Sequence, residues 1–463
     1  MSNIDPASFR DPSGFIFYRD NNLYRQINKY YKETFDQLVK SKFYELLIKK
    51  EFLISHEEVD CSLALTNEAY KVIKPDQIKC ITYPYEWSFS QLKDAALLTL
   101  DIQNLALKHN FSLIDASAYN IQFHKGHPIF IDTLSFEPLQ EGRPWTAYRQ
   151  FCQHFLAPLA LMAKTDIFLG QLLKINVEGI PINLASKLLP KTTWINLSLV
   201  LHIHMHAIAQ SKFSDKKINK ESTRKSFNKT SYLALADNLK TAINKLSWSP
   251  KGTEWQNYYI DNNNYTDDGR QNKESIVGNL IRDIAPKLTW DLGANTGKYS
   301  RIASNVSDEV YAWDIDPGCV ELNYREIKKN GENNILPLLL DLTNPSPSIG
   351  WANNERGNLQ DRGPVDLILA LGLVHHLAIA NNLPFERIAE YLSRLTIHLI
   401  IEYIDKSDSQ ITRLLNARKD IFTGYNQENF ESCFSRYFQI VSKHPIEGTL
   451  RTIYCMQKVE NLK

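Results

Sequence analysis

The feature that most constrains this chain is a pair of glycines placed between an apolar run and a helix-like run. The segment Trp290–Tyr299 reads WDLGANTGKY, and its glycines are Gly293 and Gly297. Thr289–Leu292 is predicted as a short strand, and Lys298–Ser304 as the start of a helix. Glycine lets the backbone turn sharply and lets a ligand approach closely, while a helix N-terminus offers free N–H groups to a carboxylate. The segment therefore predicts a ligand-binding turn.

Two common nucleotide motifs do not fit this turn. A dinucleotide fingerprint, GxGxxG, would require glycines at the positions of Asn295 and Lys298. A phosphate-binding loop, GxxxxGK followed by Ser or Thr, would require one more residue between the glycines, and Tyr299 follows the lysine instead. The turn is therefore not predicted to bind a dinucleotide or a triphosphate in the usual way.

The surrounding region alternates apolar strands with helices, which indicates an α/β fold with a parallel sheet covered on both faces. We predict a Rossmann-like, doubly wound sheet that ends in an antiparallel hairpin. The predicted strands are Thr289–Leu292, Val310–Trp313, Ile335–Leu340, Asp366–Leu371 and His398–Tyr403, followed by the pair Phe438–Val441 and Arg451–Met456. The predicted helices are Lys273–Ile284, Lys298–Ser304, Cys319–Lys329 and Phe385–Leu395.

Acidic residues stand at the ends of the first three predicted strands, at Asp291, Asp314 and Asp341. Together with the glycine motif and the run VDLILALGLVHH at Val365–His376, this pattern resembles class I S-adenosylmethionine-dependent methyltransferases. The resemblance implies that Asp314 accepts the ribose hydroxyls and that Asp341 reaches the adenine amino group. It implies cofactor contacts from Asp291, Gly293, Asn295, Gly297, Asp314 and Asp341.

Methyl transfer requires the protein to align a nucleophile with the methyl carbon and to exclude water. A base is needed only where the acceptor must lose a proton, and the candidates near the strand ends are His375, His376 and Glu402. The alternative is that these side chains pack and hydrogen-bond without touching substrate. The run Leu371–Val374 lacks the Asn/Asp-Pro-Pro-Tyr/Phe loop of nucleic-acid amino methylases, and the net charge is only +1, so nucleic acid is not the expected partner.

The first half of the chain is predicted as an α+β domain. Phe15–Ile27 predicts two strands around a turn, Tyr31–Lys50 a long helix, Cys80–Tyr85 a strand, and Ser90–His109 an amphipathic helix. The run Leu201–His206 reads LHIHMH, which on a helix would bring the first and last histidines to one face. No metal site is predicted.

Three residues after the amphipathic helix are candidates for a second site, namely Asp115, Asn120 and Asp132. Their order and spacing resemble the catalytic core of protein-kinase-like and aminoglycoside-phosphotransferase-like folds. The resemblance implies that Asp115 orients an acceptor hydroxyl and that Asn120 and Asp132 hold magnesium for ATP. The chain departs from that pattern because it shows no glycine-rich loop, no clear phosphate-binding lysine and no glycine after the second aspartate. The alternative is that Asp115 and Asn120 only cap a turn.

Length and composition favour two domains of a globular, cytoplasmic protein, since neither a signal peptide nor a membrane-spanning run is visible. We predict an N-terminal α+β domain over residues 1–210, a polar linker and connecting helix over 211–258, and a methyltransferase domain over 259–463. The polar stretch Ser211–Thr230 is expected to be a mobile loop or linker. The oligomeric state is not predicted.

The whole chain also resembles bacterial nodulation-type methyltransferases. The leading hypothesis is S-adenosylmethionine-dependent methyl transfer to a small-molecule, glycan or lipid acceptor. Two alternatives stay open. The first is a bifunctional or kinase-like phosphotransferase that acts through Asp115, Asn120 and Asp132 with ATP and magnesium. The second is a non-catalytic nucleotide-binding module.

Overall fold

The computed structural model describes residues 3–213, 227–250, 266–416 and 421–459. The chain divides into two compact units. The first comprises Met1–Trp248 and a short returning segment, Ser348–Arg356, and the second comprises Ser249–Pro347 and Gly357–Lys463. Residues 214–226, which make up most of the polar stretch Ser211–Thr230, lie outside the described residues.

The second unit is built on a seven-stranded sheet with the order β12-β11-β10-β13-β14-β16-β15. Strands β10 to β14 run parallel, and β16 pairs antiparallel with β14 and with β15. The predicted α/β fold with a terminal antiparallel pair is confirmed. These strands are β10 (Leu288–Leu292), β11 (Glu309–Asp314), β12 (Ile335–Leu339), β13 (Val365–Ala370), β14 (Thr396–Ile404), β15 (Phe438–Pro445) and β16 (Arg451–Lys458).

Strands β10 to β14 are buried along most of their length, which is typical of a parallel sheet covered on both faces. Val310 on β11, Leu367 on β13 and Ile400 on β14 are almost fully buried. Val277 and Ile281 of the first helix of this unit belong to the same core. The helices of this unit are α11 (Asp267–Ile284), α12 (Lys298–Ser304), α13 (Pro317–Asn330), α14 (Phe385–Leu395), α15 (Ser409–Asn416) and α16 (Gln427–Phe434).

Helix α11 begins six residues before the predicted start at Lys273. Thr266 caps it, because its side chain accepts a hydrogen bond from the Gly269 N–H at 3.1 Å. The two acidic residues of the first turn, Asp267 and Asp268, suit the positive end of the helix dipole. This polar first turn has no apolar periodicity, so the sequence pattern did not reveal it.

The first unit contains a five-stranded antiparallel sheet with the order β1-β2-β3-β5-β4. The predicted α+β character and the hairpin around Asp20 to Asn22 are confirmed. The strands are β1 (Asn3–Ile4), β2 (Gly14–Arg19), β3 (Asn22–Asn28), β4 (His56–Val59) and β5 (Ala69–Pro75). Two further strand pairs follow, made by β6 (Phe111–Leu113) with β9 (Phe136–Pro138) and by β7 (Ile121–His124) with β8 (His127–Phe130).

The remainder of the first unit is helical. Its helices are α1 (Lys32–Lys40), α2 (Phe43–Lys49), α3 (Phe89–Lys108), α4 (Tyr148–Phe151), α5 (Ala157–Lys164), α6 (Leu172–Ile175), α7 (Ile182–Leu188), α8 (Leu197–Leu199), α9 (Met205–Phe213) and α10 (Lys229–Lys245). A π-helical turn, Val200–His204, joins α8 to α9. The predicted amphipathic helix over Ser90–His109 matches α3, which Ser88 caps through the Gln91 N–H.

Two element predictions in this unit are wrong. The single helix over Tyr31–Lys50 is broken, because Lys42 adopts a left-handed conformation with φ 58° between α1 and α2. This turn lets both Phe35 and Phe43 face the core. The strand over Cys80–Tyr85 does not form.

The side chain of Gln122 satisfies the backbone where that strand was expected. Its Oε1 accepts from the Thr82 N–H at 2.8 Å, and its Nε2 donates to the Thr82 carbonyl at 2.9 Å. Pro84 then starts a short 3-10 turn, Pro84–Glu86. The Gln122 side chain therefore satisfies the Thr82 backbone groups that a neighbouring strand would otherwise have bonded.

Candidate active site

The glycine motif forms the predicted turn between β10 and α12. Gly293, Asn295 and Gly297 all have positive φ, at 76°, 52° and 84°. Asn295 tolerates this conformation, as its residue type often does. The backbone therefore folds back at the carboxyl end of the central strand, where open parallel sheets bind ligands because the strand order reverses between β10 and β13.

Asp314, the last residue of β11, fastens this turn. Its Oδ2 accepts from the Asn295 N–H at 2.7 Å, and its Oδ1 accepts from the Asp316 N–H at 2.8 Å. Burial raises the pKa of the Asp314 carboxyl to about 6. The two backbone hydrogen bonds favour the charged form and oppose this rise. Each oxygen keeps acceptor capacity for a further donor.

Asp291 lies at the start of the same turn and is buried. Its Oδ2 accepts a hydrogen bond of 2.6 Å from the Ser300 hydroxyl on α12. Burial also raises the pKa of Asp291 to about 6, and the neighbouring charge of Asp314 acts in the same direction. Two buried carboxyls therefore titrate close to neutral pH beside one turn.

A cavity of about 410 Å³ opens at this edge of the sheet. Its size is suitable for a small-molecule ligand. Five of the six predicted cofactor residues line it, and so does one of the three catalytic candidates. These residues are Asp291, Gly293, Asn295, Asp314, Asp341 and His376.

Gly297 is the predicted cofactor residue that does not line the cavity. A Cβ atom at this position would lie 2.5 Å from Nδ2 of Asn323 and 2.7 Å from Nη1 of Arg301. The glycine is therefore needed for backbone conformation and for packing against α13. At Gly293, by contrast, a Cβ would meet only Leu373, at 3.6 Å.

Three cationic residues on the cavity wall, Arg270, Lys273 and Lys298, were not found by sequence reasoning. Two of them lie in the first two turns of α11. The signal that could have found them is the helix start at Thr266, because a helix that begins there places Arg270 and Lys273 one turn apart on one face. Each of these cations is already paired with a carboxylate, Arg270 with Asp267, Lys273 with Glu402 and Lys298 with Glu274.

Lys273 and the catalytic candidate Glu402 belong to one buried charge network. Lys273 Nζ lies 2.8 Å from Glu402 Oε2, and Arg451 Nη1 lies 3.6 Å from Glu402 Oε1. Arg451 Nε also pairs with Asp408 Oδ2 at 3.0 Å. Since both Glu402 oxygens face cations and the side chain is fully buried, the geometry favours a role in holding α11 against β14 and β16.

The two histidines differ in position. His376 lines the cavity, and burial lowers its pKa to about 4. His375 is almost fully buried and does not line the cavity, and burial lowers its pKa well below the usual range. Both rings are neutral at pH 7, so His376 is the histidine that could accept a proton from a bound acceptor. A π-helical turn, His376–Ala380, begins at the second histidine.

In the first unit the structure brings Asp115, Asn120 and Asp132 together. Burial and the charge of Asp132 raise the pKa of Asp115, while the Ser117 N–H and the Asn120 side chain oppose that shift. Asp132 Oδ1 forms an ion pair of 2.6 Å with Nη2 of Arg25, on β3. Sequence reasoning missed Arg25, because nothing in the hairpin pattern singles out one of its two arginines.

The histidines of the run Leu201–His206 bind neighbouring side chains. His202 meets the Tyr148 hydroxyl and the Asn238 side-chain oxygen, each at 2.8 Å. His204 meets the hydroxyls of Ser186 at 2.8 Å and Thr193 at 2.9 Å. Across the described ranges, no group of three or more His, Cys, Asp or Glu side chains could hold a metal ion.

Comparison with solved structures returns methyltransferases, and each of the following matches covers less than half of this chain. N-methyltransferase NodS from Bradyrhizobium japonicum WM9, in complex with S-adenosyl-L-homocysteine, is 12% identical with a TM-score of 0.33, covering 44% of this chain and 93% of that one. Magnesium protoporphyrin IX methyltransferase (ChlM) from Synechocystis PCC 6803, with the same ligand bound, is 17% identical with a TM-score of 0.31 and the same coverage. The bifunctional kinase-methyltransferase WbdD is 16% identical with a TM-score of 0.29, covering 43% of this chain and 41% of that one.

Comparison at the level of sequence extends over the whole chain. No family model matches. The nodulation protein NoeA of Rhizobium meliloti (strain 1021) is 35% identical over 460 residues, which cover 98% of this chain and 96% of that protein. The predicted resemblance to nodulation-type proteins is thereby confirmed. At this identity over nearly the full length of both chains, the protein belongs to the family of the nodulation protein NoeA.

Proposed function

We propose that the second unit transfers a methyl group from S-adenosylmethionine to a small-molecule, glycan or lipid acceptor. The observation that carries the proposal is the cavity at the β10/β13 switch point, which five of the six predicted cofactor residues line. The ligand-binding turn and the acids at the ends of β10 and β11 support it, because they offer a small ligand both backbone N–H groups and carboxylate acceptors.

The residues present fit this cofactor. Asp314 keeps acceptor capacity for the ribose hydroxyls, and Asp341, which also lines the cavity, is the proposed partner of the adenine amino group. A Cβ atom at Gly293 would make only an ordinary contact, with Leu373 at 3.6 Å, so the backbone of the turn is not screened there by packing. Arg270 and Lys298 on the cavity wall are the candidates to meet the methionine carboxylate, in exchange for their present partners Asp267 and Glu274.

S-adenosylmethionine supplies a methyl group on a sulfonium sulfur that is already an activated leaving group. The protein then has to orient the acceptor in line with the sulfur–methyl bond and to keep water out. His376 is the proposed acceptor of a proton, where the nucleophile carries one. Its low pKa makes it a weak base, so it is suited to a nucleophile that releases its proton as the new bond forms.

Calorimetry on the full chain tests the proposal. We expect S-adenosylhomocysteine to bind with micromolar affinity, on the order of −8 kcal/mol. Binding should be weakened by about 1.5–3 kcal/mol in Asp314→Ala. It should be unchanged in Asp308→Ala, which alters a surface acid of the same unit. An absence of binding by both the methyl donor and its product would count against the proposal and would favour a non-catalytic module.

A second candidate function is phosphotransfer by the first unit. The observation that favours it is the proximity of Asp115, Asn120 and Asp132, which is the arrangement that a magnesium-dependent kinase-like site would need. Arg25 already neutralises Asp132, so magnesium would have to displace that ion pair. Magnesium-dependent ATP turnover that disappears in Asp132→Ala would support this function, and the absence of ATP binding would exclude it.

A further inference from the structure

The helical part of the first unit exposes an apolar surface that its own packing does not explain. Leu197, Leu201 and Met205 follow one another at intervals of four residues along α8, the π-turn and α9, and they are 80%, 51% and 50% exposed. Residues spaced in this way lie on one face of a helix. We call these three residues, with Trp194 and Ile195, the apolar stripe.

The opposite side of the same helix already supplies the contacts with the core. Leu199, Ile203 and Ala207 are buried there, at 1%, 0% and 8% exposure. A helix that is apolar on both sides normally lies inside a protein or against a second apolar phase. The stripe is therefore more apolar than folding of this unit requires.

Trp194 and Ile195 extend the stripe at the start of the helix. The Trp194 ring stacks on the buried His204 ring at 4.3 Å with an interplanar angle of 10°, which fixes it against the helix. Its exposure is still 48%, and that of Ile195 is 91%. Exposed apolar side chains that are grouped and held rigidly mark an interaction surface, whereas scattered ones do not.

The charged side chains in the chain segment that carries the stripe are all lysines. The sequence contains no Asp or Glu from Gly179 to Ser214, and Lys187 and Lys191 are exposed within that range. Lysine next to inserted apolar and tryptophan side chains is the pattern that an anionic bilayer surface attracts, because lysine meets the phosphates while the apolar groups enter the acyl boundary. Tryptophan suits this boundary since one end of its ring is polar.

We propose that the apolar stripe docks the protein on the surface of an anionic lipid bilayer, as a peripheral contact. The contact requires no spanning segment, and none of the described helices is long and apolar enough to cross a membrane. Depth of insertion is limited to the side chains of the stripe, with Lys187 and Lys191 at the level of the headgroups. The proposal does not depend on methyl transfer, because the stripe and the cofactor cavity use different residues.

Sedimentation with vesicles tests this surface on the full chain. We expect wild-type protein to bind vesicles of 70% phosphatidylcholine and 30% phosphatidylglycerol, and to bind pure phosphatidylcholine more weakly. Leu201→Gln and Leu197→Gln should each reduce the partition coefficient roughly tenfold, because each removes an inserted leucine. Lys191→Gln should reduce it roughly fivefold at low salt and less at high salt.

Val39→Gln is the matched control, because Val39 is a helical residue of the same unit with 48% exposure that lies outside the stripe. It should bind vesicles like wild type. The proposal would be overturned if the wild-type protein bound neither kind of vesicle. It would also be overturned if Leu201→Gln bound the anionic vesicles as strongly as wild type. Analytical ultracentrifugation that shows a wild-type dimer dissociated by Leu201→Gln would also overturn it, since a second copy would then cover the stripe.

Discussion

At the scale of single residues, Asp314 combines two tasks that draw on the same carboxylate. It holds the turn through the backbone N–H groups of Asn295 and Asp316, and in the proposed complex it also accepts the ribose hydroxyls. A carboxylate can serve both because each oxygen accepts more than one hydrogen bond. The cofactor therefore meets an acceptor whose position the turn itself has already fixed.

Replacement of Asp314 by Ala is expected to weaken S-adenosylhomocysteine binding by about 1.5–3 kcal/mol, the cost of leaving hydroxyls without a charged acceptor. The same change removes the two hydrogen bonds that fasten the turn, so the thermal midpoint should fall as well. Calorimetry and thermal unfolding measure the two effects separately. Binding equal to that of wild type would contradict the assignment of Asp314.

The raised pKa of Asp314 predicts a pH dependence for cofactor binding. Above pH 6 the carboxylate is charged and accepts the ribose hydroxyls, whereas below pH 6 it is protonated and loses part of that capacity. Affinity should therefore fall as the pH is lowered through about 6, by up to about tenfold per pH unit. In Asp314→Asn this dependence should weaken, and titrations between pH 5 and 8 would show an unchanged profile if another group were responsible.

At the scale of elements, the two glycines of the turn have different tasks. Gly297→Ala places a Cβ 2.5 Å from Asn323 and 2.7 Å from Arg301, which itself is held by the carbonyls of Thr296 and Gly297. We expect a loss of unfolding free energy of about 1–3 kcal/mol beyond the strain of the positive φ. Gly331→Ala is the control, because it has φ 68° and no atom within 4 Å of its Cβ. Equal thermal midpoints for the two variants would refute this packing argument.

The buried charge network joins α11 to β14 and β16, and Glu402 is its central acid. Glu402→Gln leaves Lys273 and Arg451 buried with one negative partner fewer, at a cost of roughly 3–5 kcal/mol. Glu390→Gln, which removes two solvent-exposed pairs on α14, should cost at most about 1 kcal/mol. Chemical denaturation of both variants measures the difference, and a similar loss in each would contradict the importance of burial.

The strands of the second unit could be predicted because their signal is local. Apolar runs such as Leu367–Ala370 are continuous, and Asp291 and Asp314 lie at or next to the ends of β10 and β11. The partners of those residues were not predictable in the same way. Nothing in the sequence relates Lys273 to Glu402, or Arg25 to Asp132, because the fold brings the two members of each pair together over a long chain distance. The sequence therefore predicted the residues of the turn and the strand ends, but not Arg270, Lys273 and Lys298 on the cavity wall.

At the scale of the whole molecule, the chain does not finish its first unit before it starts the second. Ser348–Arg356 is part of the first unit, although its neighbours on both sides belong to the second. Within the first unit Glu355 is buried and ion-paired with Arg10, and the Arg356 guanidinium lies 4.4 Å from the centre of the Tyr119 ring. Tyr119 stands next to Asn120, so this segment packs beside the cluster of Asp115, Asn120 and Asp132.

A fragment that ends at residue 250 is therefore expected to be less stable than the first unit of the full chain. Addition of a peptide covering residues 345–358 should raise its thermal midpoint, because the peptide restores the contacts of Glu355 and Arg356. The same peptide with Arg356→Ala should raise it less. A fragment whose midpoint does not respond to the peptide would show that the segment adds nothing to the stability of this unit.

The returning segment has a consequence for how such a protein can be inherited. Recombination at a single point between the halves would join a first unit to a second half that carries another protein's version of Ser348–Arg356, so the contacts of the original segment would be replaced. Gene exchange within this family should therefore favour transfer of the two halves together.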